Sequence, residues 1–262
     1  MIKSNLLKTL LKCIWEVIYD MPFWSRCYKN KDRYSIDVKY KRLRHLVFKI
    51  SDSLAMDIHA VGVNNIPKET SCFLSNQMGA VDPVAIIKLL DTPMTFLAKK
   101  ELEHVPGLGK AIYSIEGEFL DREDLKKSLR TMMRIEEDLK AKRKNWLIFP
   151  EGTRNKDNKA LLHDFHYGTF RAAMKAGVPI CPVATYSSFR LLKSKHHFKK
   201  YPTFVSFLPP ITPDEYVDMT PEEVGAKVQK MIQKEVSFHL RLEDHKYMSQ
   251  YTKKGYRYNE VY

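Results

Sequence analysis

Seven short apolar runs, separated by stretches of helical spacing, limit what residues 58–245 can build. The runs are "IHAVGV", "CFLSN", "MTFLA", "GEFLD", "NWLIFP", "VPICPVAT" and "TFVSFLP". They are short, and most are rich in β-branched and aromatic residues, as strands buried on both faces tend to be. Between them lie "PVAIIKLL", "DLKKSLRTMMRIEEDLKAK" and "FHYGTFRAAMKAG", which return apolar residues every three or four positions. Strand–helix alternation predicts an α/β domain: a mixed, largely parallel sheet flanked by helices. In the long helix the predicted core stripe is Leu125, Leu129, Met132 and Leu139, with Asp124 as N-cap. "TPEEV" supplies Thr220, Pro221 and Glu223, the parts of a capping box. Residues 246–262, "KYMSQYTKKGYRYNEVY", show no period and are expected to form a Tyr/Lys-rich tail, loose or docking.

The first 57 residues have a different texture. The chain of 262 residues carries a formal charge of +13, and its first fifty residues hold twelve Lys and Arg against four acids, Glu16, Asp20, Asp32 and Asp37. Ile2, Leu6, Leu10, Ile14 and Val17 recur at helical spacing opposite Lys3, Lys8, Lys12, Glu16 and Asp20. "MPFWSRCYKNK" follows, and a second amphipathic stretch sets Leu43, Val47, Ile50 and Leu54 against Lys39, Lys41, Arg42, Arg44 and Lys49. Basic helices with aromatic anchors suit an anionic lipid interface, so residues 1–57 are expected to be a two-helix membrane-binding element. The alternative is that both helices pack on the main domain with a solvated basic face. No window holds the ~20 apolar residues of a span, and Lys8 and Lys12 interrupt anything resembling a secretory signal. The expectation is a peripheral, monotopic protein on the cytoplasmic face of a membrane. Nucleic acid is not an expected partner, because no helix-turn-helix, RNP-like strand or zinc-finger spacing accompanies the charge. Cys13, Cys27, Cys72 and Cys181 form no C-x-x-C pair, which predicts four reduced thiols and no metal site.

Polar groups gather where predicted strands end. "NWLIFP" runs into Glu151, Gly152, Thr153 and Arg154, "FLDR" ends on Asp121 and Arg122, and "FLAKKEL" sets Lys99 and Lys100 after another strand. Ligands of α/β sheets bind outside the carboxyl ends of strands. Gly152 lets backbone approach a ligand, and Arg154 can grip a phosphate with two parallel N–H groups. Three cationic strand ends point to a phosphate-bearing substrate.

In this order, "SNQMGAVDP", "EFLDR", "FPEGTR" and "VPICPV" resemble the lysophosphatidic acid acyltransferases, a family of glycerolipid acyltransferases. "VGVNNIP", "VPGLG" and "DFHYGTF" add smaller echoes, and the likeness covers roughly residues 60–185. The resemblance implies transfer of a fatty acyl group from acyl carrier protein or coenzyme A to the free hydroxyl of lysophosphatidic acid, giving phosphatidic acid. It implies no cofactor beyond that co-substrate. It assigns Asp82 as the partner of a general-base histidine, Lys100, Arg122 and Arg154 to the phosphate, and Glu151 and Gly152 to the acceptor glycerol, with Thr153 supporting the turn. The family links the "VPICPV" block to the acyl group; Cys181 within it has no neighbouring base and is not a nucleophile candidate.

Two residues depart from the pattern: Gln77 stands where the family has its histidine, and Gly79 replaces a commonly polar residue. A side-chain amide donates and accepts hydrogen bonds but takes no proton near neutral pH. Four accounts are open. The histidine was replaced, by design or by a single base change; the chain is a silent lipid-binding copy; another base, from His104, His163 and His166, has moved in; or Gln77 only orients the hydroxyl.

Overall fold

The computed structural model describes residues 4–121, 124–155, 162–193 and 198–255. Two helices open the chain, α1 (Ser4–Lys29) and α2 (Ile36–Ser53). There follow β1 (Met56–Val61), β2 (Cys72–Ser75), α3 (Asp82–Leu89), β3 (Met94–Lys99), α4 (Leu108–Ser114), β4 (Glu118–Leu120), α5 (Leu125–Lys140) and β5 (Asn145–Ile148). The rest is α6 (Gly168–Ala176), β6 (Ile180–Tyr186), α7 (Arg190–Lys193), β7 (Tyr201–Phe207), α8 (Pro213–Tyr216), α9 (Pro221–Lys234) and α10 (Arg241–Thr252). A π-helical turn over Glu235–Leu240 joins the last two helices.

All seven predicted runs are strands of a single sheet, ordered β1-β7-β6-β2-β5-β3-β4. Strands β6, β2, β5, β3 and β4 run parallel, while β7 is antiparallel to β6 and carries β1 parallel to itself. The carboxyl ends of five strands, and the loops that leave them, therefore share one rim. Alternation along each strand divides the core. Phe73, Leu147, Cys181 and Val183 face the buried sides of α1–α4, including Trp24, Tyr40, Ile86 and Ile115. Their neighbours Cys72, Leu74, Trp146, Ile148 and Ile180 face α5, α6 and α9 through Ile135, Leu139, Phe170 and Val228. Pro182 sits inside this sheet, between β2 and β7; its carbonyl still accepts from the Leu208 N–H at 3.0 Å. Asp124 caps α5, accepting from the Lys127 N–H at 3.0 Å, and Thr220 with Glu223 closes the capping box of α9.

Several sequence expectations change. The two N-terminal helices pack on the sheet: Trp24 of α1 and Tyr40 of α2 are completely buried in its cover. Lys39, expected on the solvated face, is buried beneath it, with its ammonium on the Lys31 carbonyl and 3.3 Å from Glu116. Arg42 pairs with Asp20, and Lys49 with Glu16 at 2.9 Å, so cations of α2 hold α1. The expected tail begins as helix instead, since α10 continues to Thr252 with Met248 and Tyr251 buried; residues 256–262 lie outside the described residues. The core face of α5 is Thr131, Ile135 and Leu139, and the predicted Leu125 and Leu129 are 74% and 56% exposed.

Candidate active site

Strand β2 delivers the segment that holds Gln77 and Asp82. At its end the ladder to β6 continues through a side chain: Asn76 Nδ2 donates to the Thr185 carbonyl at 2.9 Å, and the Thr185 N–H donates to Asn76 Oδ1 at 2.7 Å. Gln77 is next, and the loop after β5 takes both its backbone groups. Its N–H donates to Glu151 Oε1 at 2.8 Å, and its carbonyl accepts from the Asn155 N–H at 2.8 Å. The second oxygen of Glu151 accepts from the His163 N–H at 2.9 Å. Glu151 is thus a buried clamp between three chain segments. Burial pushes its carboxyl up from the ordinary value, while the His163 and Gln77 N–H groups pull it down. Gly152 has φ +65°, which lets the loop turn inside so short a span.

Asp82, at the start of α3, is fully buried. Its Oδ2 accepts from the Met78 and Gly79 N–H groups, each at 2.8 Å, closing the loop between Gln77 and the helix. Its Oδ1 is sealed from solvent without a hydrogen-bond partner, as is the hydroxyl of Ser188, in the turn after β6. That turn presses on the loop: a Cβ at position 79 would lie 2.5 Å from Ser188 Oγ and 3.1 Å from its carbonyl, so only glycine fits. Ser187 beside it has φ +79° and gives its hydroxyl to Asp244 at 2.7 Å. Burial raises the Asp82 carboxyl to about 6, opposed by the Gly79 and Met78 N–H groups and by the dipoles of the Ser188 and Thr185 hydroxyls, which lie close without completing a hydrogen bond to Oδ1.

A carboxyl raised from 3.8 to about 6 holds its proton in the folded chain over a window where the unfolded chain has released it. Folding is therefore favoured by this group at the acid side, and the contribution falls as pH rises from about 4 to about 6. Asp82→Asn keeps an oxygen for both N–H groups and removes the buried charge. The expected result is a variant more stable than wild type at pH 7.5 by on the order of 2–3 kcal/mol, melting about 5 °C higher, with the difference closing toward pH 4. Melting curves at both pH values check this; an Asn variant that melts lower at pH 7.5 would overturn it.

The remaining predicted residues spread along the rim. Arg154 is exposed and adjoins Asn155, hence the Gln77 carbonyl. Thr153 and Gly152 are half-buried in the same loop. Lys100 follows β3, two strand spacings or about 10 Å from the β2 line. Its ammonium is 2.6 Å from Asp121, on the side away from Gln77. Arg122 lies outside the described residues. The structure thus brings Gln77, Asp82, Glu151 and Arg154 together and sets Lys100 further along. His104, His163 and His166 are exposed, and none shares a hydrogen bond with Asp82. Asn76, Asn155, Thr185 and Ser188 join the site without having been singled out; Asn76 lay inside the quoted motif, whereas Ser188 stands in no motif. The Cys181 thiol, pushed up by burial to about 12, is inert in its strand. Among the described residues no group of three His, Cys, Asp or Glu is placed to hold a metal.

Known proteins are similar to this chain in sequence and in fold. A family model described as Acyltransferase matches residues 57–186, from β1 to the end of β6. The chain is 27% identical over 179 residues to the 1-acyl-sn-glycerol-3-phosphate acyltransferase of Saccharomyces cerevisiae, covering 68% of this chain and 58% of that one. It is 28% identical over 167 residues to the Escherichia coli protein of the same name, covering 63% and 66%. The chain thus spans less than two thirds of the length of either relative. In fold it is similar to the 1-acyl-sn-glycerophosphate (LPA) acyltransferase PlsC from Thermotoga maritima, with a TM-score of 0.71 at 22% identity over 90% of this chain and 96% of that one. With its matched segment running through every strand end that builds the rim, the chain belongs to the acyltransferase family.

Proposed function

We infer that this chain moves a fatty acyl group from an acyl thioester, acyl-coenzyme A or acyl carrier protein, to the free hydroxyl of lysophosphatidic acid at a membrane surface, giving phosphatidic acid. The observation that carries the reading is the join of the β2 and β5 loops, where Glu151 and Asn155 pin both backbone groups of Gln77 beside the exposed Arg154. Arg154 is suited to a bidentate grip on the phosphate, with Lys100 as a second cation further along the rim. The hydroxyl then lies near the Gln77 amide, whose oxygen can accept its hydrogen bond and aim it at the thioester carbon. The new C–O bond forms, the C–S bond breaks, and the hydroxyl proton ends on the departing thiol. The reaction needs no cofactor besides the acyl donor.

Gln77 also favours a second reading, a catalytically silent lipid-binding member of the same fold, because no side chain at that position takes the proton. Supplying palmitoyl-coenzyme A and lysophosphatidic acid and following free thiol separates the two. The expected result is slow turnover by wild type and none by Asp82→Ala, which loses the acceptor of the Met78 and Gly79 N–H groups. Turnover untouched by Asp82→Ala would refute this site, and no turnover by wild type would favour the silent reading.

Lysophosphatidic acid keeps its phosphate at headgroup level, so the rim belongs at a lipid surface. No helix among the described residues is long and apolar enough to cross a membrane. Helix α1 instead offers Leu11, Ile14, Trp15, Ile18 and Tyr19, all exposed and at helical spacing along one face. The Val17 and Met21 side chains lie against Gly107, in the loop after β3, so α1 packs against a loop that leaves the same rim. With the cations of α2 largely paired, anchoring is mainly apolar and salt should weaken it only in part. Cytoplasmic acyl donors place the protein on the cytoplasmic face. Trp15, 67% exposed, should contribute about 2 kcal/mol on insertion. Trp15→Ala is then expected to weaken binding to phosphatidylglycerol vesicles about 30-fold; unchanged flotation would reject this face.

A further inference from the structure

The outer side of α5 is more apolar than a solvated helix requires. Leu125, Leu129 and Met133 are 74%, 56% and 59% exposed, and their four-residue spacing stacks them in one column. Lys126, Arg130 and Arg134 repeat that spacing one residue on, so a basic column borders the apolar one over about 12 Å of helix. Among the described residues Lys126 and Arg130 form no ion pair, and Arg134 meets Glu118 at 3.3 Å. Lys127, on the far side, is held by Asp124 at 3.2 Å and Asp121 at 3.7 Å, and Glu137 closes the exposed face at its lower end. Exposed apolar columns edged by charge mark interaction surfaces. Here the charge selects an acidic partner.

The position narrows the choice. Helix α5 leaves the rim just after β4, the edge strand three positions from β2, and ends just before β5, so its columns start on the same rim as the site and run away from it toward the opposite end of the strands. It also covers the sheet face opposite α1–α4. A flat bilayer resting on α1 would lie on the other side of the sheet from α5. Acyl-coenzyme A concentrates its charge at the nucleotide and does not offer acidic and apolar groups side by side, whereas a protein helix of two to three turns can match both columns.

Resting on the acyl-transfer reading above, we propose that the outer face of α5 docks an acidic carrier protein that presents the acyl thioester to the rim. Six side chains make a small contact, and small contacts belong to transient encounters. A donor that must leave after each transfer requires one.

The test is binding, which needs no turnover. Full-length protein is titrated into fluorescent acyl carrier protein that carries palmitate through a non-hydrolysable amide, and anisotropy is read at low and high salt. The expected result is binding that falls at least tenfold in the double variant Lys126→Glu/Arg130→Glu, falls in Leu129→Ser, and weakens with salt. Melting temperature and binding to phosphatidylglycerol vesicles should not change. The proposal is overturned if the carrier protein does not bind, if the variants bind it as wild type does, or if they lose vesicles and keep the carrier. A chain that binds carrier protein yet releases no thiol keeps this surface and sinks the transferase reading. One that uses palmitoyl-coenzyme A while ignoring carrier protein does the reverse.

Discussion

Gln77→His is expected to raise thiol release from the acyl donor by about 10²–10⁴-fold, the usual worth of a positioned general base. The site is already built for the ring. Glu151 and Asn155 fix the backbone of residue 77 from both sides, so a new side chain leaves from a defined point. Asp82 holds its loop with one oxygen and keeps the other sealed, with only the Ser188 and Thr185 hydroxyls near it and no hydrogen bond completed. A buried acceptor left unmatched costs free energy that an imidazole N–H would recover. The same bond would fix the tautomer, leaving the far nitrogen free to take the hydroxyl proton. Adding Asp82→Asn to the His variant should therefore return most of the gain. The measurements are initial rates of thiol release for wild type, Gln77→His and the double variant, with lysophosphatidic acid binding followed in parallel. A His variant that binds the lysolipid and turns over no faster than wild type would remove Asp82 from its assigned role. Active His protein beside inert wild type would establish this chain as a lipid-binding relative that has lost its base.

Strands and site were legible in the sequence to different depths. Runs such as "CFLS" and "NWLI" read plainly because both faces are buried, and no competing pattern of that length exists for a solvated segment. Polar strand ends followed from the same reading, since parallel strands deliver their loops to one rim. Helix α5 shows where periodicity stops informing. Leu125 and Leu129 lie on one helical stripe, and Ile135 and Leu139 on another. Spacing cannot say which faces the core, because a docking face and a core face obey the same 3.6-residue rule. Lys39 was misread for a related reason: its partner Glu116 lies 77 residues away, and only the fold reveals that the cation is matched. Glu151 was legible as a site residue, but its bonds to the N–H groups of residues 77 and 163 were not. Ser188 left no trace in the sequence, because its part is to occupy the space that Gly79 leaves empty.

Asp244→Ala should destabilise the chain by about 3–5 kcal/mol, as breaking one side of a buried ion pair does. Arg190, Asp244 and Ser187 are all buried, and Arg190 lies on α7 while Asp244 lies on α10. The guanidinium grips both carboxylate oxygens, Nη2 to Oδ2 at 2.7 Å, and the Ser187 hydroxyl joins the same cluster. Truncating the acid leaves a cation in the interior without its carboxylate, and at about 2–4 °C per kcal/mol the melting temperature should drop by roughly 10 °C. Asp244→Asn, which still accepts from Arg190, should lose less. The double variant Arg190→Met/Asp244→Leu removes both charges, and recovery toward wild-type stability is expected because apolar replacements of buried pairs are often neutral. Function should not recover with stability. The pair binds the hydroxyl of Ser187, whose φ is +79°, and that turn sets Ser188 against Gly79 and the Asp82 loop. In a Gln77→His background, the double variant is therefore expected to melt near wild type and yet transfer acyl groups more slowly. Full activity in that triple variant would show that α10 stabilises the fold without positioning the site.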